Sequence, residues 1–253
     1  MLDVFQPNAA GRSATRRYKT LAKAWRQRAF GRRASLYFWT VFVVLVLAAV
    51  EWHLSRGWTF AFGMLSGGLF VGWLTIPEVV MPSHIFNWQL GAWGEQMTAS
   101  ELKRLPREGW VVRHDVAWGE RGNHDHVVAG GAVFLVNSRN LPDGVVTIEN
   151  GSIRIGRIDY PSDGFIADQW IPRVANEARS LKRRLERELG FPVAVYPVIA
   201  IWARFEPHNA YVGEVLLVDG HTLVDALKSR PIDLLNDEKR RRVAEWVSSL
   251  PCA

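Results

Sequence analysis

The chain holds a single cysteine, Cys252, next to its C-terminus. That excludes an intrachain disulfide and a cysteine-based zinc site, and it is consistent with a reducing, cytoplasmic compartment. Neither a G-x-x-x-x-G-K-[ST] loop nor a G-x-G-x-x-G fingerprint occurs, which excludes the two common nucleotide cradles. Positive charge is also scarce where a nucleic-acid-gripping domain would carry it. The formal charge is +6, but residues 1–33 hold nine Lys/Arg against Asp3 alone, while residues 81–253 hold 21 basic and 22 acidic side chains. The basic character therefore belongs to an N-terminal arm, and it speaks for an anionic surface before it speaks for DNA.

Charge is missing altogether from two further stretches, 34–50 and 57–77. The first is rich in Leu, Val and Phe and spans about 25 Å as a helix, with Tyr37, Trp39 and Trp52 placed to sit at interfaces. The second contains Gly63, Gly67, Gly68 and Gly72 at a spacing that lets helices approach closely. The expectation is a two-helix membrane anchor, 34–54 and 57–77, behind a basic arm at 1–33. Arg56 is the only basic residue in the connection. The positive-inside rule then puts both termini in the cytoplasm, at a bacterial-type inner membrane with the lipid bilayer as partner. No charge lies within either run, which argues against transport.

Residues 78–90 read as a linker, and a domain is expected over 91–250. Glu95, Ala99 and Leu102 share one helical face, with Leu105 at its edge, so a carboxylate stands on an apolar stripe. Strands are expected at 110–116, 124–129 and 132–136, the last two joined at Gly130-Gly131. Two more flank Asn150-Gly151, the strongest short hairpin signal. Residues 174–189 form an amphipathic helix on Val174, Ala178, Leu181 and Leu185, with Glu177 among the acids of its outer face. Residues 193–202 are a buried strand, 215–218 another, and 222–228 and 235–249 are helical. The expected fold is α/β, a mixed sheet flanked by helices.

Metal-assisted phosphodiester cleavage needs acidic oxygens around a divalent ion and a cation near the attacking water. Period two places Asn137 and Arg139 together at the end of one strand, Asp125 on the adjoining strand, and Glu95 on a helix packed against them. A structural alternative pairs Glu95 with Arg113. Alternation would turn His124 and His126 away from Asp125.

These residues resemble a known family. Gly91, Gly94 and Glu95, then Gly122, Asp125, His126, Val127 and Val128, then Gly130 to Arg139 follow the pattern of the NERD, or nuclease-related, domain. The resemblance covers about 91–202 and implies a restriction-endonuclease-like fold of the PD-(D/E)XK kind. It implies an active site of Glu95, Asp125, Asn137 and Arg139, with Glu95 and Asp125 as metal ligands, Mg²⁺ as cofactor and nucleic acid as substrate. Asn137 stands where the family has Glu, and Arg139 where it has Lys. The exchange removes one negative charge from the metal site and puts a permanently charged fork where a water-holding amine belongs. Asp143 and Glu149 are candidates to replace the missing carboxylate. Two functions follow: membrane-anchored Mg²⁺-dependent cleavage, or an inactive nuclease-fold module that binds nucleic acid or a protein partner at the membrane.

Overall fold

The computed structural model describes residues 10–54, 63, 67–68, 82–107, 109–119, 122–159, 164–230 and 236–253. They fall into two units, Met1–Thr15 with Gln89–Ala253, and Arg16–Trp88. In the smaller unit the arm is helical and is not separate from the apolar run. Helix α1 (Arg12–Leu54) passes through both in 43 residues, and Phe38, Trp39 and Phe42 meet edge to face along it.

The helix content corrects the expected anchor. Among the described residues no helix is long and apolar enough to cross a membrane. The transmembrane hairpin, the two-span inner-membrane location and the bilayer as partner fall with it. The expected first span, 34–54, is the second half of a helix whose first half carries the nine basic residues of the arm. Lack of charge marks where a span could lie, but a span also needs a helix of sufficient length and apolar content. The second run, 57–77, lies outside the described residues except for Gly63, Gly67 and Gly68. Of the expected linker, 78–81 are also outside them, while Ser83 onward is already helical. Pro82 precedes that helix, and its carbonyl accepts from Ile85 and Phe86.

The larger unit is an eight-stranded mixed sheet between helices. Helix α2 (Ser83–Leu102) leads into β1 (Val111–Ala117), β2 (Asn123–Ala129) and β3 (Val133–Glu149). Then come β4 (Ser152–Arg157), β5 (Phe165–Ile166), α3 (Trp170–Leu189) and β6 (Val195–Phe205). The chain finishes with β7 (Asn209–Val212), β8 (Val215–Asp219), α4 (Leu223–Lys228) and α5 (Asp237–Ser249). The strand order is β1-β2-β3-β6-β8-β7, with β4 and β5 continuing from the far half of β3. Strands β3, β6 and β8 are parallel, and the other pairs are antiparallel. Parallel pairing buries both faces of these central strands, which is why 195–202 has no charged residue.

Local signals explain the boundaries. Asn150 and Gly151 have φ of 52° and 80°, the two positive values that a tight hairpin turn needs, and they join β3 to β4. Gly190 ends α3 at φ 78°, its N–H bonding the Glu186 carbonyl. Asn236 caps α5 by accepting from the Lys239 N–H. Two apolar layers result. Leu102, Val128, Phe134, Val136, Val198 and Leu227 pack on the α2/α4 side of the sheet. Val127, Leu135, Leu181, Leu185, Val243 and Val247 pack on the α3/α5 side. Strand β3 is therefore buried from both sides as far as Ser138. Its register with β6 shifts between Asn140 and Val145.

Candidate functional site

Helix α2 lies against the end of β3 because Gly94 has no side chain. A Cβ there would stand 2.9 Å from the Cβ of Asn140, closer than two such atoms approach. Asn140 in turn donates to the Leu90 carbonyl (3.1 Å). One turn on, Thr98 is fully buried, and its hydroxyl accepts from Trp202 Nε1 (2.7 Å) and Ser138 Oγ (2.8 Å). These contacts hold Glu95 over the strand ends. Gly94→Ala is expected to destabilise the fold although alanine is the better helix former by about 1 kcal/mol. Neither atom in the clash is the free end of a side chain, so α2 must move. Urea unfolding of the variant checks this; equal or greater stability would show that the approach of α2 is slack.

The acids come from four elements. Asp115 on β1 is buried, adopts φ 50°, and accepts from Asn123 Nδ2 (3.0 Å) and from the Ser13 N–H and hydroxyl (2.8 Å each). It caps the first turn of α1, and an aspartate tolerates the left-handed region better than most residues. Asp125 on β2 accepts the Ser138 N–H at 2.8 Å. Glu95 comes from α2 and takes a hydrogen bond from the Gly11 N–H. Glu177 comes from α3 and accepts Asn137 Nδ2 at 3.1 Å and Arg173 Nε at 3.1 Å.

Arg139 is the cation of the group. Its Nη1 donates to the Ser138 carbonyl (2.7 Å), and its guanidinium stands 5.3 Å from the Trp170 ring centre. The charges of Asp125, Glu177 and Glu95 all act on it, opposing the loss of hydration that lowers its pKa. Glu95 is pushed up to about 9, first by burial and then by Asp125 and Asp115, against the Gly11 N–H and Arg139. It is protonated at neutral pH. Asp125 is also raised by burial, against the Ser138 N–H and Arg139.

The four residues expected in the site, Glu95, Asp125, Asn137 and Arg139, thus converge where α2, β2 and β3 meet. Two expectations about their surroundings do not hold. Glu95 has not paired with Arg113, which donates instead to the Leu250 carbonyl (3.2 Å). Nor do Asp143 and Glu149 replace the missing carboxylate: Asp143 is exposed, and Glu149 pairs with Arg154 (3.1 Å) on the β3–β4 hairpin. The carboxylate beside Asn137 is that of Glu177. It was legible as helix spacing, since 177 lies three residues after Val174 and four before Leu181, at the edge of the buried stripe. A charged side chain at such an edge reads as solvent-facing, which hid its role.

The histidines also separate. His114 and His126 meet at Nδ1···Nδ1 2.7 Å, with Ser138 Oγ 3.3 Å from His126 Nε2. His124 lies in contact with the Trp118 ring and 3.9 Å from Glu177, on the α3 side. The positive φ of Asp115 interrupts the alternation of β1, and His124 follows its partner Val116 to the other face. Among the described residues no three His, Cys, Asp or Glu side chains are arranged to hold a metal ion.

Residues 90–202 match the family model of NERD, the nuclease-related domain. This stretch is NERD-like. The match begins on α2 and ends within β6, so it contains all four expected site residues and Glu177. The NERD-like stretch carries the acid group whole, while β7, β8, α4 and α5 lie beyond it. No curated protein and no solved structure matches the chain.

Proposed function

We propose that this NERD-like domain is a nuclease-fold module that binds nucleic acid without cutting it through a magnesium ion. The observation that carries the reading is Arg139. A fixed guanidinium acts on Asp125 and Glu177 at once, in the role that a divalent cation plays among such acids. The donor set does not fit Mg²⁺. That ion demands near-octahedral oxygen ligands and is held through ionised carboxylates. Here one oxygen of Asp125 is taken by the Ser138 N–H, and the position beside it on β3 is the neutral Asn137. Asn137 Oδ1 is buried without a partner, so it is an acceptor that such an ion would gain. A single neutral oxygen does not replace the lost glutamate. Nucleic acid as the ligand comes from the nuclease-related family description of 90–202.

The test is cleavage of plasmid and single-stranded DNA by the full chain with Mg²⁺ or Mn²⁺. No cleavage is expected from the unaltered chain. The Asn137→Glu, Arg139→Lys double variant restores the acid and the amine and is expected to gain metal-dependent nicking. Metal-dependent cleavage by the unaltered chain that Asp125→Ala abolishes would overturn the reading.

A further inference from the structure

The β2–β3 turn lies four residues along those strands from Asp125 and Asn137. It forms one wall of a cleft of about 690 Å³, within the range of about 300–1,000 Å³ typical of ligand sites. Five cations line it: Arg107 before β1, Lys228 and Arg230 at the end of α4, and Arg240 and Arg241 on α5. Asp237 is the one carboxylate among its lining residues, and its contact with Arg240 is long at 3.6 Å. Arg241 reaches Glu245 only at 3.8 Å. Arg230 lies over the Tyr211 ring (4.7 Å), and its Nε is buried without a hydrogen-bond partner. Arg107 and Lys228 have no carboxylate partner among the described residues.

The wall between these cations is rigid. A Cβ on Gly130 would fall 2.4 Å from the Trp110 ring, and the ring's centroid is 6.2 Å from that of Phe134 in a stacked pair. Trp110 is therefore clamped between a backbone and a core side chain. Like charges held in a cleft with a low-dielectric wall repel one another and focus a positive potential. In a segment with 21 basic and 22 acidic residues, such segregation is a property of the tertiary structure alone.

We propose that this cleft binds a run of closely spaced phosphates, as carried by an inorganic or nucleotide polyphosphate or by a nucleic-acid strand. Guanidinium forks match phosphate oxygens two at a time, and four of the five cations are arginines. The cleft leaves room for more than one phosphate group. The proposal rests on the non-cleaving, nucleic-acid-binding reading only in its strand arm, and it places the gripping surface away from the acid group.

The experiment measures binding of a 5′-labelled single-stranded oligonucleotide and of inorganic triphosphate to the full chain at several salt concentrations. Lys228→Gln with Arg230→Gln is expected to weaken binding about tenfold and to reduce the salt slope by about 0.7 for each strand phosphate that is no longer neutralised. Arg240→Gln with Arg241→Gln alters only side chains on the outside of α5 and is expected to act in the same direction with the fold intact. Arg183→Gln with Arg187→Gln, on the other arginine-rich surface beside Trp118, is expected to change affinity less than twofold. Binding of either probe that both cleft variants weaken supports the cleft, and binding of triphosphate alone makes the ligand a small polyphosphate. If neither probe binds, or the cleft variants bind as the unaltered chain does, the proposal is overturned. Cleavage data separate the two readings. A chain that binds strand equally in all variants sinks the cleft alone, and a chain that cuts DNA sinks the non-cleaving reading alone.

Discussion

Replacing Arg139 by methionine is expected to destabilise the larger unit by about 3 kcal/mol at pH 7, the scale of removing one member of a buried ion pair. The side chain is half-buried, and its guanidinium is the cation that opposes the upward shift of both Glu95 and Asp125. Without it these carboxyls rise further in the folded protein. A carboxyl whose folded pKa lies above its unfolded value holds its proton longer when folded, so stability falls as pH rises through the interval between the two. Glu95 still holds its proton below about pH 9 in the unaltered chain, so its share of the Arg139→Met deficit should appear as pH rises through about 9. Arg139→Lys keeps the charge and should recover most of the stability. Urea midpoints at three pH values decide it. A methionine variant as stable as the unaltered chain at pH 7, or a deficit that does not change with pH, would show that Arg139 is not the counter-ion of the group.

Acid unfolding that starts above the carboxylate range is the second large effect. His114 and His124 are each lowered to about 4, mainly by burial, and His126 lies well below its ordinary value. Neither ring nitrogen of His124 has a hydrogen-bond partner, and His114 Nε2 also lacks one. The unfolded chain binds protons on these rings from about pH 6.5 downwards, and the folded chain refuses them until about pH 4. The histidines' share of stability is complete above pH 6.5 and is lost as pH falls through that window, while Glu95 and Asp125, with raised pKa values, act in the opposite direction. At 1.36 kcal/mol per pKa unit, His114 and His124 each account for about 3 kcal/mol. Circular dichroism against pH should show the loss, and His124→Leu should flatten the slope without lowering stability at pH 7. A pH profile that His124→Leu leaves unchanged would contradict the burial of that ring.

Much of the domain was legible because the relevant forces are local. The Asn150-Gly151 hairpin follows from two residues that accept positive φ, the end of α3 from Gly190, and its inner face from the spacing of Val174, Ala178, Leu181 and Leu185. The convergence of Glu95, Asp125, Asn137 and Arg139 was legible from strand alternation, helix spacing and the resemblance to the NERD domain. Alternation failed at Asp115 and His124, where a single left-handed residue sends the next position to the other face of the sheet.

Composition misled where it stood in for structure. The charge-free runs suggested an anchor, but no described helix is long and apolar enough to cross a membrane. The balanced charge of 81–253 suggested that no surface grips an anion, yet folding gathers Arg107, Lys228, Arg230, Arg240 and Arg241 around one cleft.

By itself, then, the sequence determined the α/β class and the order of most elements. These depend on side-chain type and on spacing within a few residues. Only the tertiary structure decided that Glu177 bonds Asn137, that Asp115 caps α1, that Glu95 keeps a proton near neutral pH, and that the cations segregate. Each of these depends on desolvation and on distances between residues far apart in the chain, which no local pattern encodes.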